Sequence, residues 1–225
     1  MYKKVTLLVM LVVSMYGCNR EQKMNNNTPK GFTSLFNGKD LTGWKRHEGL
    51  PGGVIGGKWT VEDGLLTGMQ EPPGEGGFLT TLRTFRDFEA TLDTQIDWPF
   101  DSGVFLRVGA DGKSHQVTLD YRPDGEIGGI YCPWTHDFVH HCPEGIRYFK
   151  KDEWNNIRII CEGEPARIRV WVNGTMVTDF QHSKETTSGI PEEGTLCLQV
   201  HPGGEGYEKS KARFRNIFVR EISRE

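Results

Sequence analysis

Three side chains of this 225-residue sequence have the chemistry of a proton-transfer site. Asp120 is a carboxylate that can act as a base, and His201 titrates near neutral pH, which suits it to move a proton. Arg107 presents a planar fork of N–H donors that can hold a developing oxyanion or a pair of hydroxyl groups. We take these three as the candidate catalytic residues. Each also has a structural alternative: Arg107 in a buried ion pair, His201 at a surface strand end, and Asp120 in a turn.

The residues around this set predict which side chains share its cleft. Side chains of a strand alternate between the two faces of a sheet, and residues 115–121 alternate between polar and apolar types. The polar face should therefore line a cleft and the apolar face the core. The same alternation nominates further residues to contact a ligand: Gln116 and Thr118 beside Asp120, Phe105 beside Arg107, and Gln199 beside His201.

Residues 123–151 predict a long loop that is rich in aromatic and histidine side chains, and such loops are more often functional than structural. We expect Tyr131, Trp134 and His136 to contact the ligand, with Trp134 as either a hydrophobic lid or a stacking platform. His136 with His140 and His141 suggests zinc, but a tight zinc site needs histidines on one helical face or on well-spaced strands. We therefore predict no metal ligands and no obligatory cofactor, and leave a divalent cation open.

The start of the chain is typical of a lipoprotein signal peptide. Two lysines precede an apolar run of about 10 residues, which is too short to cross a bilayer. Cys18 follows in an order that resembles a bacterial lipobox, so we expect removal of residues 1–17 and lipidation of Cys18. An ordinary signal peptide cut elsewhere is the alternative. Residues 18–30 then form a flexible tether, and the protein is expected in the bacterial cell envelope, on a membrane through its lipid alone.

The remaining four cysteines would enter an oxidising compartment after export. Cys132 and Cys142 bracket a short stretch, and we predict a disulfide between them. Cys161 and Cys197 lie within apolar strand patterns, where buried free thiols are common.

Strand signals dominate residues 31–225, which we interpret as one domain. Residues 88–97 alternate cleanly, Asp63-Gly64 and Asn173-Gly174 mark tight turns, and the sequence has no convincing helical period. About ten such strands favour an all-β antiparallel sandwich. With 27 Lys and Arg against 30 Asp and Glu, the chain has no positive field for a phosphate backbone, which argues against a nucleic-acid partner.

Ten short motifs, in order, resemble the 3-keto-disaccharide hydrolase family over nearly the whole of this domain. They are 31–44 (GFTSLFNGKDLTGW), 59–64 (WTVEDG), 78–81 (FLTT), 85–89 (FRDFE), 102–107 (SGVFLR), 129–131 (GIY), 153–155 (EWN), 171–174 (WVNG), 198–201 (LQVH) and 214–217 (FRNI). The resemblance implies a concanavalin- or laminin-G-like jelly roll of two curved antiparallel sheets, with a sugar site on the concave face. It also implies action on glycosides whose C3 hydroxyl has been oxidised to a ketone.

Such a ketone acidifies the proton on C2, and the resulting enediolate can expel the C1 oxygen. Hydration of the product then completes a net hydrolysis. This chemistry needs a base, a stabiliser for the enolate oxygen and an acid for the leaving group. Where the family commonly has an acid this chain has Gln116, which cannot ionise, so either Asp120 substitutes for it or the chemistry differs.

Two other functions remain as alternatives, each with a small sugar or an oligosaccharide as ligand. The first is a non-catalytic carbohydrate-binding lipoprotein, because the jelly-roll fold also hosts lectins. The second is a conventional endo-glycosidase, but the Glu-x-Asp-x-x-Glu strand that such enzymes usually carry is absent from the sequence.

Overall fold

The computed structural model describes residues 28–50, 56–72, 74–203 and 206–223. The predicted signal peptide, Cys18 and most of the predicted tether lie outside the described residues. Within the described ranges, no helix is both long and apolar enough to span a membrane.

The described chain consists of β-strands and one 3₁₀ helix, Pro143–Tyr148. In chain order the strands are β1 (Thr33–Ser34), β2 (Trp44–Arg46), β3 (Lys58–Glu62), β4 (Leu65–Met69), β5 (Gly77–Phe85), β6 (Phe88–Ile96), β7 (Phe100–Val108), β8 (His115–Tyr121), β9 (Ile127–Cys132), β10 (Asp137–His140), β11 (Asn155–Glu162), β12 (Arg167–Val172), β13 (Thr175–Gln181), β14 (Gly194–Val200) and β15 (Lys211–Glu221).

These strands form two antiparallel sheets, which confirms the predicted jelly-roll β-sandwich. The eight-stranded sheet runs β13-β12-β11-β6-β15-β4-β3, with β1 paired to β15. The seven-stranded sheet runs β10-β9-β8-β7-β14-β5-β2. Neighbours such as β14 and β7 are far apart in sequence, so the residues of one sheet face come from distant parts of the chain.

The core lies between the sheets and follows from strand alternation. On β6, Leu92 and its alternate neighbours are fully buried against the other sheet. On β8, Val117 and Leu119 enter the core, so Gln116 and Thr118 point to the opposite face of the seven-stranded sheet. The predicted polar face of this strand is therefore the face turned away from the core.

The predicted loop over residues 123–151 is wrong in part, because it contains β9, β10 and the 3₁₀ helix. Strand β9 is buried on both faces and includes Gly128 at φ +92°, so it lacks the alternation that marks a half-buried strand. Strand β10 is a short edge strand.

The predicted disulfide between Cys132 and Cys142 is also wrong. Both are buried free thiols: Cys132 Sγ lies 3.7 Å from Nδ1 of His115, and Cys142 Sγ donates a hydrogen bond to the carbonyl of Val177 at 3.4 Å. Spacing along the chain did not reveal that β9 directs Cys132 towards β8 while Cys142 packs against β13. The expected buried free thiols at Cys161 and Cys197 are confirmed.

Candidate functional site

A groove crosses the outer face of the seven-stranded sheet. It consists of two adjoining cavities of about 190 Å³ each, which share Gln116, Tyr131, Gln199 and His201. Together they have the size and the mixed lining of small-ligand sites in proteins.

One end of the groove has an aromatic floor. The rings of Phe78 and Phe105 lie 4.0 Å apart between centroids, and Trp134 lies 6.3 Å from Phe78. Trp134 is 43% exposed, although most large apolar side chains of the protein are buried, so its ring is available to a flat ligand surface. The floor rests on a small apolar cluster, separate from the main core, that also includes Cys197.

The other end of the groove is charged. Arg122 bonds both oxygens of Asp120, with Nε and Nη2 each 2.7 Å from a carboxylate oxygen. Nη2 of Arg122 also lies 2.9 Å from Oδ2 of Asp101, and Nε2 of His201 lies 3.6 Å from the same oxygen. Asp101 faces Asp120 directly in the pairing of β7 with β8.

The environment of Asp101 raises its pKa into the neutral range. Burial, and then repulsion from Asp120, raise the pKa of Asp101 to about 7, although Arg122 opposes the shift. Oδ1 of Asp101 is buried and has no hydrogen-bond partner among the described residues. Burial, and then repulsion from Arg122, lower the pKa of His201, so this imidazole is neutral at pH 7. A protonatable carboxyl and a neutral imidazole thus lie side by side.

Polar side chains join the two ends of the groove. Nε2 of Gln116 donates a hydrogen bond to Oε1 of Gln199 at 3.0 Å, and Ser102 fixes the backbone of Gln199 through its carbonyl at 2.8 Å. Thr118 lines the charged end. The hydroxyl of Tyr131 donates to Asp137 at 3.0 Å, and burial followed by this contact raises the pKa of Tyr131.

Arg107 does not belong to this groove, which corrects its expected catalytic position. The residue is 1% exposed and its side chain lies inside the sandwich, where Nη2 contacts Asp87 at 2.9 Å and the carbonyl of Gly163 at 3.1 Å. The reason is a β-bulge: two residues of β7 oppose one residue of β14, and Arg107 has φ +52°. The bulge breaks the alternation that would have put Arg107 on the face of Phe105.

His136 also lies away from the groove lining, with Nε2 3.1 Å from the carbonyl of Ser188. Nor do the three loop histidines converge on a metal: His140 stacks on Phe180, and His141 contacts Glu126. The other expected contact residues (Gln116, Thr118, Phe105, Tyr131, Trp134 and Gln199) all line the groove, together with Asp120 and His201.

Asp101, Arg122 and Phe78 line the groove but were missed by sequence reasoning. Asp101 had a usable signal, because it precedes Phe105 by four residues and so shares its strand face. Arg122 had none, since it lies one residue beyond β8 and reaches the groove only through its contact with Asp120.

A larger cavity, of about 240 Å³, lies elsewhere, between residues 34–37 and 81–83. Its charged lining residue, Arg83, is paired with Glu221 at 2.5 Å. The groove is the better candidate site because acidic, basic and aromatic groups converge there.

The profile of the 3-keto-alpha-glucoside-1,2-lyase-like domain family matches residues 31–220. The chain belongs to this family. The match spans both sheets and includes every residue of the groove, from Leu50 to Pro202.

Two individual proteins that resemble this chain share at most about a third of its residues in the aligned regions. A 3-keto-disaccharide hydrolase of Bacteroides thetaiotaomicron is 30% identical over 156 residues, covering 58% of this chain and 52% of the relative. The chain thus spans about half the length of that curated relative. A crystal structure from Parabacteroides distasonis, assigned as a glycosyl hydrolase, superposes with a TM-score of 0.61 at 24% identity over 86% of this chain and 94% of that one.

The same fold also occurs in proteins with much lower sequence identity to this chain. A Bacillus subtilis protein of unknown function with a galectin-like fold has a TM-score of 0.57 at 13% identity, covering 82% of this chain and 92% of that one. At this identity the likeness concerns the jelly-roll scaffold alone.

Proposed function

We propose that the protein cleaves the glycosidic bond of glycosides whose C3 hydroxyl has been oxidised to a ketone. Membership of the lyase-like family supports the proposal, as does the name of the Bacteroides relative, a 3-keto-disaccharide hydrolase. The observation that carries it is the side-by-side placement of Asp101, His201 and Arg122 next to an aromatic floor.

The charged end supplies each part that the elimination needs. His201 is a neutral imidazole and takes the proton from C2, which the adjacent ketone has acidified. The electron pair of that C–H bond forms the enolate, whose oxygen Arg122 stabilises. The enolate then expels the C1 oxygen, and Asp101 donates its proton to this leaving group. Water that adds to the 2-hydroxy-glucal completes the net hydrolysis.

Asp120 acts in this scheme as a positioning residue. Both of its oxygens are bonded by Arg122, so it orients the guanidinium. The amides of Gln116 and Gln199 bond one another and can donate and accept with the sugar hydroxyls. Phe78, Phe105 and Trp134 offer ring faces to the apolar face of a sugar ring.

The decisive experiment compares a 3-keto-glucoside with its unoxidised parent in deuterated water. The protein should cleave the glycosidic bond of the 3-keto-glucoside and leave the parent glucoside intact. Recovered substrate or product should carry deuterium at C2. His201→Ala and Asp101→Asn should each slow turnover by ~10²–10⁴ with circular dichroism unchanged. Equal turnover of both sugars would indicate ordinary glycosidase chemistry, and tight binding without turnover would favour the carbohydrate-binding alternative.

We also propose that the protein is anchored to the bacterial cell envelope through a lipid on Cys18. The apolar run and the cysteine that follows it in the sequence support this location. Replacing Cys18 with Ala in a bacterium that processes lipoproteins should release the protein from membranes. Retention of the variant in the membrane fraction would contradict the anchor.

A further inference from the structure

A second cluster of chemically competent side chains lies inside the sandwich and takes no part in the groove. His115, Cys132 and His182 are all buried, and one potential ligand atom of each lies within 4.8 Å of those of the other two. We propose that these three residues bind one thiophilic transition-metal ion of the copper–zinc class.

The fold brings the three together from both sheets. The pairing of Gln116 with Tyr131 and of Val117 with Ile130 puts His115 opposite Cys132 at the ends of β8 and β9. His182 follows β13 in the other sheet, and its ring centroid lies 4.4 Å from that of His115. An ion at this position would therefore link the two sheets.

The geometry fits a metal better than a hydrogen bond. Sγ of Cys132 and Nδ1 of His115 are 3.7 Å apart. Two ligands at ordinary metal–sulfur and metal–nitrogen lengths, held at tetrahedral or trigonal angles, are separated by about 3.6–3.8 Å.

The histidines also have unused ring nitrogens. Nε2 of His115 and Nε2 of His182 are buried and have no hydrogen-bond partner among the described residues. A buried polar atom without a partner is costly, and a metal bond would satisfy one. Nδ1 of His182 contacts the hydroxyl of Thr186 at 3.1 Å, which orients the ring so that Nε2 is the atom left to bind.

Burial keeps both histidines ready to bind. It lowers the pKa of His115 well below its ordinary value and that of His182 to about 4, so both rings are neutral at pH 7. Burial also raises the pKa of Cys132 to about 12, so the ion must displace the thiol proton.

Charge favours a monovalent ion. One thiolate and two neutral imidazoles leave a Cu⁺ site neutral and a Zn²⁺ site with a net charge of +1. All three residues are buried, and a net charge that is buried without a partner is costly, so the neutral site is favoured. Two imidazoles with one thiolate suit both copper and zinc, and copper accepts three ligands in a plane.

The test is metal content after loading the purified protein with Zn²⁺ or, under reducing conditions, with Cu⁺, followed by gel filtration. Wild-type protein should retain one equivalent of at least one ion, with Cu⁺ held more tightly. Cys132→Ser and His182→Gln should lose it, whereas Cys161→Ser, which removes a buried thiol outside the cluster, should retain it. No retained ion in the wild type, or equal retention in Cys132→Ser, would overturn the proposal.

A second measurement needs no variant. Co²⁺ bound to the wild-type protein should show the near-ultraviolet charge-transfer band of a cobalt–thiolate bond, and Zn²⁺ or Cu⁺ should abolish it. A cobalt spectrum without a thiolate band would rule out Cys132 as a ligand. Because the cluster lies outside the groove, loss of the metal in Cys132→Ser can be measured whether or not the proposed cleavage of 3-keto-glycosides holds.

Discussion

Asp101 and Asp120 are neighbouring carboxylates with different environments, because Arg122 bonds them unequally. Asp120 receives two hydrogen bonds from the guanidinium, whereas Asp101 has one contact with it and a buried oxygen without a partner among the described residues. Asp101 can therefore hold or release a proton near neutral pH. Unequal environments of paired carboxyl groups commonly divide the acid from the supporting charge in enzymes.

The pH dependence of cleavage should report Asp101. Because a general acid must be protonated, kcat/KM should fall as the pH rises through about 7, the raised pKa of Asp101. Asp101→Asn should lower turnover by ~10²–10⁴ and remove this limb of the profile. A 3-keto-glucoside with a nitrophenol leaving group needs no acid, so it should restore most of the loss.

Two controls sharpen this result. The same nitrophenol substrate should not rescue His201→Ala, since the proton on C2 must still be removed. Asp111→Asn, which changes an exposed carboxylate paired with Lys113, should behave as wild type. Activity of wild type that instead falls as the pH drops through 7 would make Asp101 a base and contradict its assigned role.

Asp101 should also lower the stability of the protein at neutral pH. Its pKa is about 7 in the folded state against an ordinary value of 3.8, so the folded protein binds this proton more tightly than the unfolded chain. The free energy of unfolding therefore falls as the pH rises from about 4 to about 7. Asp101→Asn should raise it by ~1–3 kcal/mol at pH 8 and hardly change it at pH 4 in urea titrations. Equal effects at both pH values would show that ionisation is not the cause.

Arg107 should matter for folding and Arg122 for chemistry. Replacing Arg107 with Ala removes the guanidinium that neutralises buried Asp87, which should cost about 3–5 kcal/mol in urea unfolding. Arg122→Ala should leave the unfolding midpoint much closer to that of wild type, because its side chain is 31% exposed, and should reduce kcat sharply. The opposite pattern would return the oxyanion role to Arg107.

At the scale of elements, the groove depends on how β7 is built. Its bulge turns Arg107 into the sandwich, and its glycine, Gly103, makes room for the amide of Gln116. A Cβ on Gly103 would lie 2.4 Å from Nε2 of Gln116, the end of a flexible side chain that can move. Strand β7 thus shapes the groove in two ways: its bulge directs Arg107 away from the groove, and the absence of a side chain at Gly103 leaves space for Gln116.

Gly103→Ala should therefore disturb binding more than folding. The displaced Gln116 would lose its bond to Gln199, so KM should rise about 2- to 10-fold, the equivalent of one hydrogen bond. In the Gln116→Ala background the same substitution should add little, since the clashing amide is gone. Independent, additive losses of the two changes would show that Gly103 acts in some other way.

At the scale of the whole molecule, the sandwich buries its cysteines instead of cross-linking them. Burial raises the pKa of Cys132, Cys161 and Cys197 to about 12, which suppresses the reactive thiolate. Protein exported to the periplasm of a bacterial expression host should resist alkylation at these residues and at Cys142 until denaturant is added. A linked peptide of Cys132 and Cys142 in a non-reduced digest would contradict the structure.

The all-β sandwich, the family and most of one groove wall can be predicted from the amino-acid sequence alone. Alternation along β8 requires only local sterics and burial, so Gln116, Thr118 and Asp120 could be assigned to one face from their spacing. The positions that depend on strand pairing between distant segments become visible only in the three-dimensional structure. The bulge of β7 against β14 excluded Arg107, and the register of β7 with β8 put Asp101 opposite Asp120. His115, Cys132 and His182 lie close together because β8, β9 and the end of β13 meet in the folded protein. Residues so distant in sequence become neighbours only when the two sheets pack over a common core.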